Sequence, residues 1–357
     1  MAEQAQRRRL RPGRPQSVLI GGESGAGKTE AVKILLRYLC EHSPGVGGEP
    51  SLTRQQSVVE RLVEMNPLLE AFGNAATTLN HNSSRFGKLI TVSYATLRAD
   101  GSVNHESPRV AGGVLSSYLL EKLRVVHHAD GEGYFHIFYQ MANGLDHAES
   151  RRLALNSTGP TCAAAAPPAA AKALTSAEGW RTTIRAASAV GLDRSEMSNV
   201  CELLAAAVHL REVRFTESSS PSKHAATSPR TSGRADTAAL GGIAHVSHHS
   251  EGRLHAAASL LGVPLEALAH AVCTRVLVVH GQSLDCGRSG AQARASCDAL
   301  TKRLYAMLFT WVVEQVRVSS PYLHSARSPN TPPPMRALLT SSYPWAASSG
   351  QWLHRST

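Results

Sequence analysis

Eight residues near the start of the chain, Gly22 to Thr29 (GESGAGKT), satisfy the spacing G-x-x-x-x-G-K-[ST] of a phosphate-cradling loop. Glycines at 22, 25 and 27 free the backbone to take positive φ, so successive N–H groups turn inward at the positive end of a following helix. Glu23, Ser24 and Ala26 complete the loop. Lys28 is placed to neutralise β- and γ-phosphate charge, and the Thr29 hydroxyl to ligate Mg²⁺. With glycine at about 7% of residues, the pattern arises by chance on the order of once in a hundred chains of this length. A serine-hydrolase reading of Ser24 fails, because Ala26 stands where G-x-S-x-G needs its last glycine.

A second polar cluster, Asn80 to Lys88 (NHNSSRFGK), sets two amides, two hydroxyls and an arginine ahead of a strand. Such a set can orient a water, hold Mg²⁺ and stabilise γ-phosphate charge. Alone it reads as a solvated Asn/Ser turn. In a chain that also carries a phosphate loop, the functional reading is favoured instead.

The elements that must position these residues read as mixed α/β. The apolar run Ser17 to Ile20 reads as a strand leading through glycines into a helix, whose apolar face is Val32, Leu35, Leu36 and Leu39. Leu89 to Leu97 reads as a strand, with Asp100-Gly101 as a turn. Val114 to Val126 (VLSSYLLEKLRVV) reads as helical at first and strand-like at its end. Leu300, Leu304, Leu308, Trp311 and Gln315 trace one face of a long helix that Tyr305, Val312 and Val316 widen, the pattern of a core stripe. Thr161 to Ala171, Glu217 to Ser250 and the stretch from Val318 onward lack either periodicity. The last, 318–357, has no Asp or Glu and carries Pro332-Pro333-Pro334, so a disordered tail is expected.

The 357 residues suffice for two ordinary domains or one large one. A content of 42% hydrophobic and 18% charged residues excludes fibrous, collagen-like and wholly disordered classes. The charge, 37 − 27 = +10, predisposes the surface to polyanions without choosing among them. The arginine-rich start, residues 1–15, has no apolar core after it and is broken by Pro12 and Pro15. A secretory signal and a transit helix are therefore not expected, and a disordered basic end is. Without aromatic interleaving, that end also gives no reason to expect nucleic-acid binding. No apolar run approaches eighteen residues, since even Ala256 to Val279 is broken by Glu266, His270 and Arg275, so no membrane span is expected and a cytoplasmic location is. Six scattered cysteines without a C-x-x-C pair read as reduced thiols. His245, His248 and His249 near Glu251 read as a solvated loop rather than a metal site.

Taken in order, the motifs resemble those of the myosin motor head. The loop GESGAGKTE (Gly22 to Glu30) is followed by NPLLEAFGNA (Asn66 to Ala75), NHNSSRFGK, YLLEK (Tyr118 to Lys122) and FHIFYQ (Phe135 to Gln140). LLAAAVHL (Leu203 to Leu210) and DALTKRLYAMLFTWVVEQV (Asp298 to Val316) come later, so the resemblance runs from about Gln16 to Arg317.

It implies a P-loop NTPase-type mixed sheet flanked by helices, as an incomplete motor domain over 16–317, with ATP and Mg²⁺ as ligands. It makes NHNSSR similar to switch I. Asn80 and Ser83 then face phosphates and lytic water, Ser84 joins Thr29 on Mg²⁺, and Arg85 is the switch arginine. In the family that arginine pairs with the glutamate of D-x-x-G-F-E, a run that none of the 357 residues forms. Arg85 is accordingly expected to be an unpaired charge and ATP hydrolysis to be impaired. Smaller departures are Leu123, where the family usually has serine, Cys297, where it usually has arginine, and an apparent insertion, Asn104 to Val110.

The partner the resemblance implies is the actin filament, with the main binding surface missing; light chains are not expected without a neck. The implied location is the cytoplasm and its cytoskeleton. The alternative is a non-motile nucleotide-binding or scaffold remnant. A small P-loop kinase or GTPase has no place for the other motifs, and no guanine-specifying N-K-x-D occurs.

Overall fold

In the computed structural model the residues described are 15–41, 64–95, 109–155, 169–218, 243–279, 282–315 and 317–319. Their elements begin with α1 (Lys28–Glu41), α2 (Asn66–Gly73), β1 (Asn74–Ala75), β2 (Ser83–Ser84), β3 (Gly87–Ala95) and β4 (Arg109–Tyr118). Next come α3 (His136–Gly144), α4 (His147–Arg152), α5 (Ala177–Ala189), α6 (Arg194–Glu212), β5 (Phe215–Ser218) and β6 (Ile243–Val246). The series ends with α7 (Glu251–Leu261), α8 (Leu265–Cys273), β7 (Thr274–Val279), β8 (Gln282–Gly287), α9 (Gly290–Gln315) and β9 (Arg317–Ser319). Residue contacts divide the chain into two units.

The first unit takes the described residues within Met1–Leu145, Ala165–Ser198 and Met307–Met335. Pro67 sets the φ that α2 needs at its first turn, and the helix buries Leu68, Leu69 and Phe72. Against it lie α3, with Ile137, Phe138 and Met141 buried, and α5, with Trp180 and Ala187 buried. Gly144 lets α3 approach α5 closely, for a Cβ there would overlap the Trp180 ring. The buried Gln140 amide is satisfied on both sides, donating to the Leu174 carbonyl at 2.7 Å and accepting from the Thr183 hydroxyl at 2.8 Å. An antiparallel ladder joins β3 to β4 from Gly87↔Tyr118 to Ala95↔Arg109, and β9 extends it on the far side of β4.

The second unit takes the described residues within Asp146–Ala164, Asn199–Ala306 and Arg336–Thr357. Its core is the run Leu203 to Leu210 of α6, buried all round together with Leu254, Ala257, Leu268 and Val272. Arg294 caps the end of α6 by donating to the carbonyls of Leu210, Arg211 and Val213, the orphan acceptors of a helix C-terminus. Two antiparallel hairpins, β5–β6 and β7–β8, complete it.

Several sequence expectations change. Ser17 to Ile20 is not a strand: no ladder partner pairs with it among the described residues, and Leu19 is exposed. Val114 to Val126 runs opposite to its pattern, with strand first and a 3₁₀ turn, Lys122–Val125, after it. The apolar pairs at 114–115 and 119–120 mimic helical spacing, but the nine-residue partner β3 captures the segment as a ladder. The implied single mixed sheet is not what the described strands form; they pair antiparallel, two or three to a sheet.

The segments read as lacking structure hold some. Ala169–Ala171 is a 3₁₀ turn with Ala171 buried, β5 and β6 take in 217–218 and 243–246, and β9 reaches Ser319. Asp100-Gly101, Asn104 to Pro108, 1–14 and 320–357 lie outside the described residues. The stripe on α9 is largely core: Leu304, Tyr305, Leu308, Trp311 and Val312 are buried, while Leu300 and Gln315 are half-buried. Among the described residues no single helix is long and apolar enough to cross a membrane.

Candidate nucleotide site

The loop at 22–27 is exposed and leads directly into α1, whose first residue is Lys28. Gly25 and Gly27 take φ of +83° and +78°, the region a side chain disfavours, while Gly22 sits at +156°. Lys28 Nζ donates to the carbonyls of Gly22 and Glu23, so the ammonium spans the loop. The Glu23 carbonyl also accepts the Ala26 N–H at 3.2 Å, which tightens the turn. Thr29 is half-buried in the first turn of α1, beside the positive end of the helix.

The second motif closes on this loop. Ser24 and Ser83 bring their hydroxyl oxygens to 3.2 Å, and Asn80 Nδ2 donates to Ser24 Oγ at 3.3 Å. Residues 56 to 59 positions apart in sequence thus share one small polar cluster. Asn80 is fixed by Thr77, whose hydroxyl accepts the Asn80 N–H at 3.1 Å, and Asn80 Oδ1 accepts the Asn82 N–H at 3.0 Å. Ser83 is buried, whereas Ser84 next to it is exposed, with its hydroxyl donating to the Phe86 carbonyl at 3.2 Å.

Arg85 is not the unpaired charge expected of it. Its Nε donates to Glu121 Oε2 at 2.6 Å and its Nη1 to Ser83 Oγ at 3.2 Å. The β3–β4 ladder causes this: Gly87 pairs with Tyr118, so the residues flanking that pair meet, and the Glu121 N–H donates to the Arg85 carbonyl at 3.0 Å. Between them Leu119 takes φ +55° while almost wholly exposed, which turns the chain back at the end of β4. Glu121 also accepts from Arg124 Nε at 2.8 Å. The largest influence on its carboxyl is burial, which raises the pKa, yet the bonds from Arg124 and then Arg85 outweigh it and hold the carboxyl below its ordinary value. Arg124, itself buried, continues to Glu132 at 2.7 Å and to the Gly133 carbonyl at 3.0 Å.

Behind the cluster, Asn82 is a hub. Its Nδ2 donates to Glu70 Oε2 at 3.1 Å, and its Oδ1 accepts from Asn74 Nδ2 at 2.9 Å and stands 3.1 Å from His136 Nε2. Lys88 Nζ reaches Asn66 Oδ1 at 3.3 Å, and burial lowers its pKa despite the nearby Glu70 carboxylate. Glu121, Arg124 and His136 received no role from sequence, and Asn82, one of the two amides read there as a phosphate-facing group, instead bonds Glu70, Asn74 and His136 behind the cluster. Glu121 and His136 do fall inside the YLLEK and FHIFYQ runs, which was the available signal. Among the described residues no three His, Cys, Asp or Glu cluster as a metal site of their own.

A glycine loop closing on a helix N-terminus, with a lysine across it and a second polar loop against it, defines a P-loop protein. The model of the myosin head (motor domain) family matches residues 1–326. Unconventional myosin-Ic of Danio rerio is 31% identical over 315 residues, 86% of this chain and 26% of that protein. Myosin-15 of Arabidopsis thaliana is 33% identical over 326 residues, 89% of this chain and 19% of that protein. Protein OPAQUE1 of Zea mays is 35% identical over 311 residues, 86% of this chain and 18% of that protein. The chain belongs to the myosin head family and spans about a quarter or less of the length of these relatives.

Proposed function

We propose that residues 22–29 and 80–85 bind Mg-ATP and that the chain carries the nucleotide site of an actin-based motor head. The observation that carries this reading is the Ser24, Asn80 and Ser83 cluster, which joins the two motifs. Gly22, Glu23, Gly25 and Gly27 offer backbone N–H groups to phosphate, Ala26 shapes the loop by giving its N–H to the Glu23 carbonyl, and Lys28 exchanges its two carbonyl partners for phosphate oxygens. Thr29 and Ser84 are the hydroxyl donors suited to Mg²⁺; Ser84 has already given its hydrogen to Phe86, which leaves its lone pairs to a cation. When bound, the metal neutralises phosphate charge. Ser83 and Arg85 are the groups placed to act on the water and the γ-phosphate. Actin filaments are the proposed partner, and the cytoskeleton within the cytoplasm the proposed location.

Turnover by these 357 residues is proposed to be slow, because Arg85 is held by Glu121 and no D-x-x-G-F-E run offers it a second glutamate. That arrangement also favours, as the second reading, a head that binds nucleotide without moving. Titration with a fluorescent ATP analogue (mant-ATP) in Mg²⁺ tests the site. Lys28→Ala weakens binding at least tenfold, and equal affinity in wild type and variant refutes the reading. Steady-state phosphate release that rises with added actin would refute the slow-turnover proposal.

A further inference from the structure

We propose that Glu121 is a positioning residue for the nucleotide site: it holds the Arg85 guanidinium so that Nη1 carries the Ser83 hydroxyl against Ser24. The inference rests on the Mg-ATP reading above and names a residue that reading leaves without a role.

The links run in one line from the buried interior to the loop. Arg124, 5% exposed at its side chain, is tied by Glu132 and the Gly133 carbonyl and presents Nε to Glu121. Glu121 passes the constraint to Arg85 through both its carboxylate at 2.6 Å and its backbone N–H at 3.0 Å. Arg85 reaches Ser83 at 3.2 Å, and Ser83 reaches Ser24 of the phosphate loop at 3.2 Å. Two arginines alternate with two carboxylates, so the line carries no uncompensated charge. A guanidinium fixed at Nε has its plane set, and with it the direction in which Nη1 points. Rotation of Arg85 away from Ser83 would free that hydroxyl to leave Ser24, which opens the wall facing the loop.

A thermodynamic cycle on the whole chain tests the proposal, with mant-ATP in Mg²⁺ as the probe and the thermal midpoint recorded for every protein. Glu121→Gln keeps the size and loses the charge; it weakens binding about tenfold, as loss of a charge-assisted bond requires. In the Arg85→Ala background the same change has no further effect on affinity, because Glu121 acts through Arg85. Glu132→Gln is the structural control: it lowers the thermal midpoint, but Arg124 keeps its bonds to the Gly133 carbonyl and to Glu121, so affinity shifts less than twofold.

An equal effect of Glu121→Gln with and without Arg85, or an effect no larger than that of Glu132→Gln, overturns the proposal while leaving the nucleotide site intact. Failure of the wild-type chain to bind mant-ATP refutes the site reading, and the inference falls with it. Should Glu121→Gln not fold, Glu121→Asp replaces it in the cycle, since it keeps the charge toward Arg124 and shortens the reach to Arg85.

Discussion

His136 gives the chain a specific weakness to acid. The residue is 2% exposed at the start of α3, with Nε2 3.1 Å from Asn82 Oδ1. Asn82 Nδ2 is engaged by Glu70, so the Oδ1 is an acceptor, Nε2 carries the hydrogen, and Nδ1 is a buried atom without a hydrogen-bond partner. Protonation would place a charged N–H where nothing accepts it. Burial, and then the nearby His81, push the pKa from 6.5 down to about 4. Holding the imidazole neutral down to about pH 4 is worth about 3 kcal/mol against the unfolded chain.

The sign follows from the proton count. Between pH 6.5 and 4 the unfolded chain binds a proton at this histidine that the folded chain refuses, so stability is full above 6.5 and falls as pH drops through that window. Guanidinium unfolding followed by circular dichroism from pH 7.5 to 4 measures it. The comparison is with His136→Gln, which keeps a donor for Asn82 and cannot titrate. His209, also lowered chiefly by burial, contributes the same loss to both proteins, so the difference between the two curves isolates His136. Wild type is expected to lose about 3 kcal/mol more than the variant. Parallel curves would show that His136 protonates as readily in the fold as outside it, and the argument from its buried Nδ1 would fail.

Three further outcomes follow from the packing. Arg124→Met removes the buried guanidinium and leaves Glu121 and Glu132 facing each other, which costs about 3 kcal/mol by chemical denaturation; an unchanged midpoint would deny the pairings any weight. Gly144→Ala drives a methyl into the Trp180 ring and costs about 1–3 kcal/mol, visible as a lower thermal midpoint with quenched or shifted tryptophan emission. Burial raises the thiols of Cys201 and Cys297 to about 12 and about 11, so iodoacetamide at pH 8 is expected to label half-exposed Cys286 before these two, which react only after denaturation, as read by mass spectrometry.

The phosphate loop was legible because each of its residues has a chemical reason to stand at its position, and the spacing survives without tertiary information. The facing cluster at 80–85 was legible by association with it. The Arg85–Glu121 pair was not: its members lie 36 residues apart, and only the register of β3 on β4 makes them neighbours. The same ladder explains why 114–126 was misread, since two apolar pairs fit a helix until a long partner strand offers hydrogen bonds to every second residue. Ser17 to Ile20 failed for the converse reason, an apolar run with no ladder to join among the described residues. Alanine-rich 169–171 lacks any period, yet Ala171 is fully buried, with its carbonyl accepting the Thr175 hydroxyl at 2.9 Å, a tertiary placement that periodicity does not report.

Leu119 has a practical bearing on handling the protein. It combines a left-handed backbone with an apolar side chain that is 93% exposed, two unfavourable properties at one position. Asparagine adopts that backbone region more readily and is at home in water. Leu119→Asn is therefore the substitution of choice for raising soluble yield, because it leaves the reversal that delivers Glu121 intact while removing a sticky point from the molecular surface.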